Sequence, residues 1–177
     1  MDYSVLVGGA AGQGMDTFAH LFEKTLKRCG FNVYACSDYM SRIRGGHNFF
    51  YIRFSDRKIY SFSERVHVIF AMDKETVEIH TSKLVEDGLV LTEDSISDIL
   101  KRLQNPKVIN TVGLGYILKY FGLPMDIAAE VVKQEFNENI VDINIKALEE
   151  GIQIDDKKYG PYLGTPAGGK SNYKELI

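Results

Sequence analysis

The apolar positions alternate between two periods along the first two-thirds of the chain. Tyr3 to Val7 is a short apolar run, followed by Gly8-Gly9-Ala10-Ala11-Gly12-Gln13-Gly14. This reads as a strand feeding a glycine-rich turn. Phe18, Leu21, Phe22, Thr25, Leu26 and Cys29 then recur at the 3.6-residue spacing of an amphipathic helix. Gly30 stops that helix, and Phe31 to Cys36 forms a second strand, completing a βαβ unit that predicts parallel pairing. Asn48 to Ser55 is extended, Asp56-Arg57-Lys58 turns, and Ile59 to Phe62 is expected to return as a β-hairpin. Val66 to Ala71 is nearly all apolar, as in a central strand buried on both faces. Asp73 is placed to cap a helix reaching about Leu84. Strand Leu89 to Leu91, helix Asp94 to Leu103 and a short strand at Val108-Ile109 follow.

Beyond that point the pattern is helical. Leu114, Ile117, Leu118 and Phe121 share one face behind Asn110. Pro124 leads a segment aligning Ile127, Ala128, Val131 and Val132, and a third segment carries Ile140, Ile143, Asn144, Ala147 and Leu148 up to Gly151. These elements predict an α/β, three-layer Rossmann-like domain with a mainly parallel sheet, a β-hairpin insertion and a helical C-terminal part. The domain is expected over residues 1–154. Residues 155–177, polar and rich in Gly, Pro, Lys and Tyr, read as a tail or linker.

Composition narrows the function. At 177 residues the chain is most simply one domain. A formal net charge of −3 argues against nucleic-acid binding. No apolar run approaches the roughly 18 residues of a membrane span. Met1-Asp2-Tyr3-Ser4 is not a basic leader, so a cytoplasmic location is expected. The two cysteines, Cys29 and Cys36, are too few for an iron–sulfur cluster and match no zinc spacing. They read as buried, reduced thiols.

Two loops carry unusual chemistry. In open α/β sheets, binding regions lie beyond the carboxyl ends of the strands, so both loops are expected on one edge. The first, with Gly9, Gly12, Gln13 and Gly14, sits where a dinucleotide fingerprint would, but its spacing is not G-x-G-x-x-G. Asp38 stands late for the acidic residue that would hold a ribose. A helix N-terminus attracts anions whatever the spacing. The second loop is Arg42-Ile43-Arg44-Gly45-Gly46-His47-Asn48. Its arginines offer forked donors to an anionic ligand or to a partner's carbonyls and carboxylates. His47 reads as a structural residue rather than a base, and His20 and His67 carry less weight still. No carboxylate pair is implied among Glu64, Asp73 and Glu75, and no metal ligands are apparent from spacing. The residues alone thus predict an α/β domain with one loaded edge, no catalytic residue and no metal.

With these residues in place, the chain resembles the gamma subunit or gamma domain of the 2-oxoacid:ferredoxin oxidoreductases. Gly9-Ala10-Ala11-Gly12-Gln13-Gly14 matches that family's first loop, and Arg44-Gly45-Gly46 its second hallmark. Asp38 to Phe50 is similar to the form in which gamma is fused ahead of alpha. Weaker matches follow at Ser55-Asp56, Ile59, Leu114-Gly115, Asn144, Ala147 and Gly151. The resemblance spans Tyr3 to about Gly151 and fits either a separate subunit or part of a fused chain. His67 departs from it, since an aspartate is frequent there.

The resemblance implies a division of labour. Alpha and beta parts hold thiamine diphosphate and Mg²⁺, iron–sulfur clusters take electrons towards ferredoxin, and coenzyme A accepts the acyl group. The gamma part holds no cofactor, packs on the others and lies near the coenzyme A path. Gly9, Gly12, Gln13, Gly14, Arg42, Arg44, Gly45, Gly46, His47 and Asn48 are then expected to contact cofactor or partner. The 2-oxoacid, whether pyruvate or 2-oxoglutarate, is chosen elsewhere. Two other readings stay open: a stand-alone nucleotide-binding domain, and an assembly module that forms a homodimer in isolation without ligand.

Overall fold

The structure is a computed structural model that describes residues 1–39 and 47–155. Five strands form one sheet: β1 (Asp2–Gly9), β2 (Asn32–Tyr39), β3 (Asn48–Ser55), β4 (Val66–Ala71) and β5 (Leu84–Thr92). Six helices accompany them: α1 (Met15–Arg28), α2 (Lys74–His80), α3 (Glu93–Leu103), α4 (Ile109–Phe121), α5 (Met125–Glu135) and α6 (Glu138–Ile152). The sheet order is β2-β3-β1-β4-β5. β1, β4 and β5 pair in parallel, while β3 runs antiparallel to both β1 and β2. Four strands therefore share one direction and one is reversed, which agrees with a mainly parallel α/β domain.

The position of β3 corrects the expected pairing. β2 does not lie beside β1, because β3 is inserted between them. The reason is burial. β3 carries Phe49, Tyr51, Ile52 and Phe54 and is apolar on both faces, so it belongs inside the sheet. β2 exposes Asn32, Ala35, Ser37 and Asp38 and can tolerate the edge.

The expected hairpin with Ile59 to Phe62 is absent. Both edges of β3 are already paired, so no backbone groups remain for that segment. It stays irregular, with Tyr60 and Phe62 81% and 56% exposed. The hairpin lies one strand earlier, between β2 and β3. Val108-Ile109 is not a strand either. Pro106 opens a 3₁₀ turn capped by Asn105, and α4 begins at Ile109. α2 is also shorter than expected. It ends at His80, and β5 begins at Leu84, with a register break opposite Val66 and Val68.

Strand alternation divides the core. Val5, Val7, Ile52, Phe54, Val68 and Phe70 face a large core formed with α1, α3, α4, α5 and α6. Leu6, Tyr51, Ile69 and Ala71 face the other side, where Val77 of α2 packs. α4 is buried on all sides except at Lys119, rather than on one face. It crosses α6 with almost no separation. A β-carbon at Gly115 would lie 2.2 Å from the Leu148 carbonyl oxygen, and one at Gly151 would lie 2.1 Å from that of Val112. Nearby, Asn144 Oδ1 accepts from the Thr111 hydroxyl at 2.7 Å. The tail from residue 156 onward lies outside the described residues, as do Arg42, Arg44, Gly45 and Gly46. Among the described residues, no helix is long and apolar enough to cross a membrane.

Candidate functional site

The strand directions bring four chain segments to one edge. β1 ends at Gly9, which pairs with Asn48 at the start of β3, and Asn48 also pairs with Tyr39 at the end of β2. β4 ends beside them, with the Met72 N–H donating to the Gly8 carbonyl at 2.9 Å. The glycine turn, the start of α2 and both flanks of the arginine–glycine connection therefore meet at this edge, while Arg42 to Gly46 lie outside the described residues.

Gln13 latches the turn. Its Oε1 accepts the Ala10 N–H at 2.7 Å, and its Nε2 donates to the Met72 carbonyl at 3.3 Å. Gly9 leaves the room for this. A β-carbon there would lie 2.5 Å from Gln13 Oε1 and 2.9 Å from Met72 Cβ. Gly12 and Gly14 adopt left-handed φ values of 89° and 95°, which side chains disfavour. Gly14 is the N-cap of α1 and supplies no side-chain cap, so the amides of the first turn are left without that partner. Such a terminus suits an anion, although Asp16 in the same turn opposes one. α4 reaches this point too: a β-carbon on Gly14 would lie 3.2 Å from Asn110 Nδ2.

Beneath the edge lies a pair of buried histidines. His47 is 4% exposed and His80 1%. Their Nε2 atoms are 2.9 Å apart, and the Nδ1 atom of each has no hydrogen-bond partner among the described residues. Phe49 stacks on His47 and meets His80 edge-on. Burial pushes the His80 imidazole down to about 4, helped by the positive charge of Lys83 and by His47. Gly8 makes space for the pair, since a β-carbon there would lie 2.7 Å from Thr76 and 3.1 Å from His47 Cε1. Asp73 caps α2, its Oδ1 accepting the Thr76 N–H at 2.8 Å and the Thr76 hydroxyl at 2.6 Å. One donor atom each from His47, Asp73 and Glu75 lie within 4.8 Å of one another.

The fold thus brings together Gly9, Gly12, Gln13, Gly14, His47 and Asn48, and adds Gly8, Asp73, Glu75, Thr76 and His80. His80 escaped the sequence reading. The available signal was the i, i+4 pair Thr76 and His80, two polar residues on the buried side of a short helix. The other histidines lie elsewhere. His20 and Lys24 on α1 both bond Glu135 on α5. His67 Nδ1 accepts the Ser4 N–H at 3.1 Å, just before the parallel β1–β4 ladder begins at Val5. An aspartate carboxylate can accept the same hydrogen, which gives the His67 departure a physical reading. Cys29 and Cys36 are free and half-buried. Burial pushes the Cys29 thiol up to about 12.

On the thinly covered face of the sheet lies an open groove of about 670 Å³, lined by Cys36, Phe49, Tyr51, Phe62, Arg65 and Lys83 among others. It is apolar at its base and rimmed by charge.

The family model described as pyruvate ferredoxin/flavodoxin oxidoreductase matches residues 4–154. A 2-oxoacid:ferredoxin oxidoreductase subunit alpha from Saccharolobus solfataricus is 25% identical over 146 residues, 81% of this chain and 23% of that protein. The subunit alpha of a Sulfolobus species is 35% identical over 80 residues, 45% of this chain and 13% of that protein. The chain thus aligns with less than a quarter of either relative. Among solved structures, the 2-oxoglutarate:ferredoxin oxidoreductase of Magnetococcus marinus, with 2-oxoglutarate, coenzyme A and succinyl-CoA bound, superposes with a TM-score of 0.84 at 19% identity. The superposition covers 96% of this chain and 34% of that one. The gamma subunit of a keto/oxoacid ferredoxin oxidoreductase from Geobacter sulfurreducens PCA gives 0.76 at 20% identity, covering 87% and 96%. The fold is therefore that of a gamma subunit, and with its family match running from β1 through α6 the chain belongs to the pyruvate ferredoxin/flavodoxin oxidoreductase family.

Proposed function

We propose that this chain is the gamma part of a 2-oxoacid:ferredoxin oxidoreductase, a non-autonomous piece of the enzyme that supports its assembly and borders the approach of coenzyme A. The chemistry is the thiamine-diphosphate-dependent oxidative decarboxylation of a 2-oxoacid to an acyl-CoA. Thiamine diphosphate, Mg²⁺ and iron–sulfur clusters belong to the alpha and beta parts, and ferredoxin is served through them. The observation that carries this reading is the composite edge. A latched glycine turn, an α1 terminus without a side-chain cap, and the His47-Asn48 start of β3 all face the same way.

In this reading Gly9 and Gln13 hold the turn, while Gly12 and Gly14 let an anionic group approach the α1 amides. Asp16 weakens that site, so an anion needs added cations, and the connection whose sequence carries Arg42 and Arg44 has both its flanks, Tyr39 and Asn48, at this edge. The Magnetococcus marinus structure, which holds coenzyme A and succinyl-CoA, supports looking for the coenzyme here. The groove, with the exposed Phe62 in its lining, is the face offered to the alpha part.

A stand-alone dinucleotide domain fits less well. That fold needs β2 beside β1 to bring its acidic residue to the ribose. Here β3 intervenes, which moves Asp38 out by about 5 Å, one further strand spacing.

The test is co-expression of the chain with its alpha and beta parts, followed by 2-oxoacid- and coenzyme A-dependent viologen reduction. We expect activity to require the chain. Arg44→Ala should raise the KM for coenzyme A or weaken association while leaving the chain's Tm within a few degrees. Full activity of alpha and beta parts without this chain would refute the reading.

A further inference from the structure

We propose that His47, Asp73 and Glu75 form a binding site for one divalent transition cation of the zinc type. The proposal does not depend on the subunit assignment. His nitrogens and Asp or Glu oxygens both bind such an ion, and open zinc sites keep three protein donors with water in the fourth position. Here one donor atom from each residue already falls within a 4.8 Å span. Ligand atoms bonded at about 2.0–2.2 Å to one tetrahedral ion lie about 3.3–3.6 Å apart. Closing the gap asks for movement of an ångström or so, and Glu75 is exposed and free to supply it.

The second observation is independent of the carboxylates. The His47 side chain is buried and its Nδ1 has no hydrogen-bond partner among the described residues. A buried, unpaired polar atom is costly and calls for an explanation. When His47 donates its Nε2–H to His80 Nε2, Nδ1 presents a bare lone pair. A histidine that binds a metal commonly donates its other ring N–H to a nearby acceptor, which fixes the tautomer. His80 supplies that acceptor at 2.9 Å.

Asp73 is prepared in the same manner. Thr76 gives two hydrogen bonds to Oδ1 and sets the carboxylate's orientation, leaving Oδ2 as the remaining donor. Two carboxylates and a neutral imidazole give the site a charge of about −2, matched by a dication. The imidazole favours a zinc-like ion over Mg²⁺, which prefers an all-oxygen octahedron. The α2 dipole opposes a cation, but a seven-residue helix with its N-cap aspartate opposes it weakly.

The experiment uses the full chain, stripped with EDTA and titrated with Zn²⁺ by calorimetry in the presence of millimolar Mg²⁺. We expect one site per chain and a rise in Tm with Zn²⁺. Glu75→Gln, a surface change, and Asp73→Asn, which keeps the helix cap, should each weaken binding about tenfold or more. His20→Ala, at the surface ion pair with Glu135, should leave it unchanged. The proposal is overturned by the absence of a saturable Zn²⁺ site, by affinity indifferent to both Glu75→Gln and Asp73→Asn, or by loss of the site on His20→Ala.

Discussion

Replacing Gly115 with alanine should lower the stability of this chain by about 2 kcal/mol, although alanine is the better helix former. Two effects compete. In a helix interior, alanine is favoured over glycine by about 1 kcal/mol. Against this, the new methyl carbon would lie 2.2 Å from the Leu148 carbonyl oxygen, and 3.2 Å from the Gly151 α-carbon. A relaxed carbon–oxygen contact is about 3.3 Å, so α4 and α6 must part by about 1 Å. The obstacle is backbone and cannot rotate aside. Overpacking of this kind costs about 1–3 kcal/mol, and here it falls at or above the upper end because α4 is buried on nearly every side. The net loss of about 2 kcal/mol corresponds to about 4–8 °C in Tm for a domain of this size. Urea unfolding of wild type, Gly115→Ala, Gly151→Ala and the double variant reads it directly. The double variant should lose less than the sum, since the first methyl already opens the crossing for the second. Gly30→Ala is the contrast: φ is +83° and nothing lies within 4 Å of the new atom, so only backbone strain of about 1 kcal/mol is expected. If Gly115→Ala were neutral or stabilising, the helices would not cross at this point and the packing argument would fail.

The glycines of the first turn should separate in the same way: Gly9→Ala displaces the Gln13 latch and costs at least about 2 kcal/mol, whereas Gly12→Ala, with open space around it, costs about 1 kcal/mol of strain; equal losses by urea unfolding would refute the latch. With its thiol pushed up to about 12, Cys29 should alkylate with iodoacetamide at pH 8 about tenfold or more slowly than Cys36, as read by peptide mass spectrometry; equal rates would show that burial does not protect it. The Arg53 guanidinium grips both carboxylate oxygens of Asp2 and holds that carboxyl below its usual range. A lowered folded pKa gives stability that is present above the unfolded value near 4 and lost as pH falls through the folded value. Asp2→Asn should therefore cost up to about 1 kcal/mol at pH 7, solvent screening limiting it, and progressively less as pH falls below about 4.

Local signals made much of this fold legible. The strand–glycine turn–helix opening, the central strand Val66 to Ala71, the Asp73 cap and the three C-terminal helices all follow from spacing and turn chemistry within about fifteen residues. Strand order did not follow, because it is decided by which strands can be buried on both faces, a comparison between distant segments. The composition of β3 held that information, with Phe49, Tyr51, Ile52 and Phe54 distributed over both faces, but a nearby turn favoured a hairpin with Ile59 to Phe62. The site divides similarly. Gly9, Gln13 and Gly14 act within one turn and could be picked out by spacing. His47, Asp73, Glu75 and His80 come from two segments some thirty residues apart, and neither segment signals the other. Even the weak resemblance at Leu114-Gly115, Asn144, Ala147 and Gly151 has a non-local cause. Gly115 and Gly151 meet at the α4–α6 crossing, and Asn144 bonds Thr111 across it.

The inserted strand also bears on what the first turn can bind. In a doubly wound dinucleotide fold, the strand beside β1 runs parallel to it, and its carboxyl end supplies the group facing the ligand. Here the neighbour is antiparallel, so what arrives beside the glycine turn is the beginning of a strand. His47 and Asn48 are buried at that beginning, and the connection carrying Arg42 and Arg44 leads into it. The acidic group that selects a ribose hydroxyl is thereby replaced by the buried His47 and Asn48. Such an edge disfavours the sugar contact of a dinucleotide. The same reversal brings His47 against α2, where Gly8 leaves room for it and where Asp73, Thr76 and His80 wait. One change of strand direction therefore accounts for both the loss of the nucleotide geometry and the gathering of the histidine–carboxylate cluster.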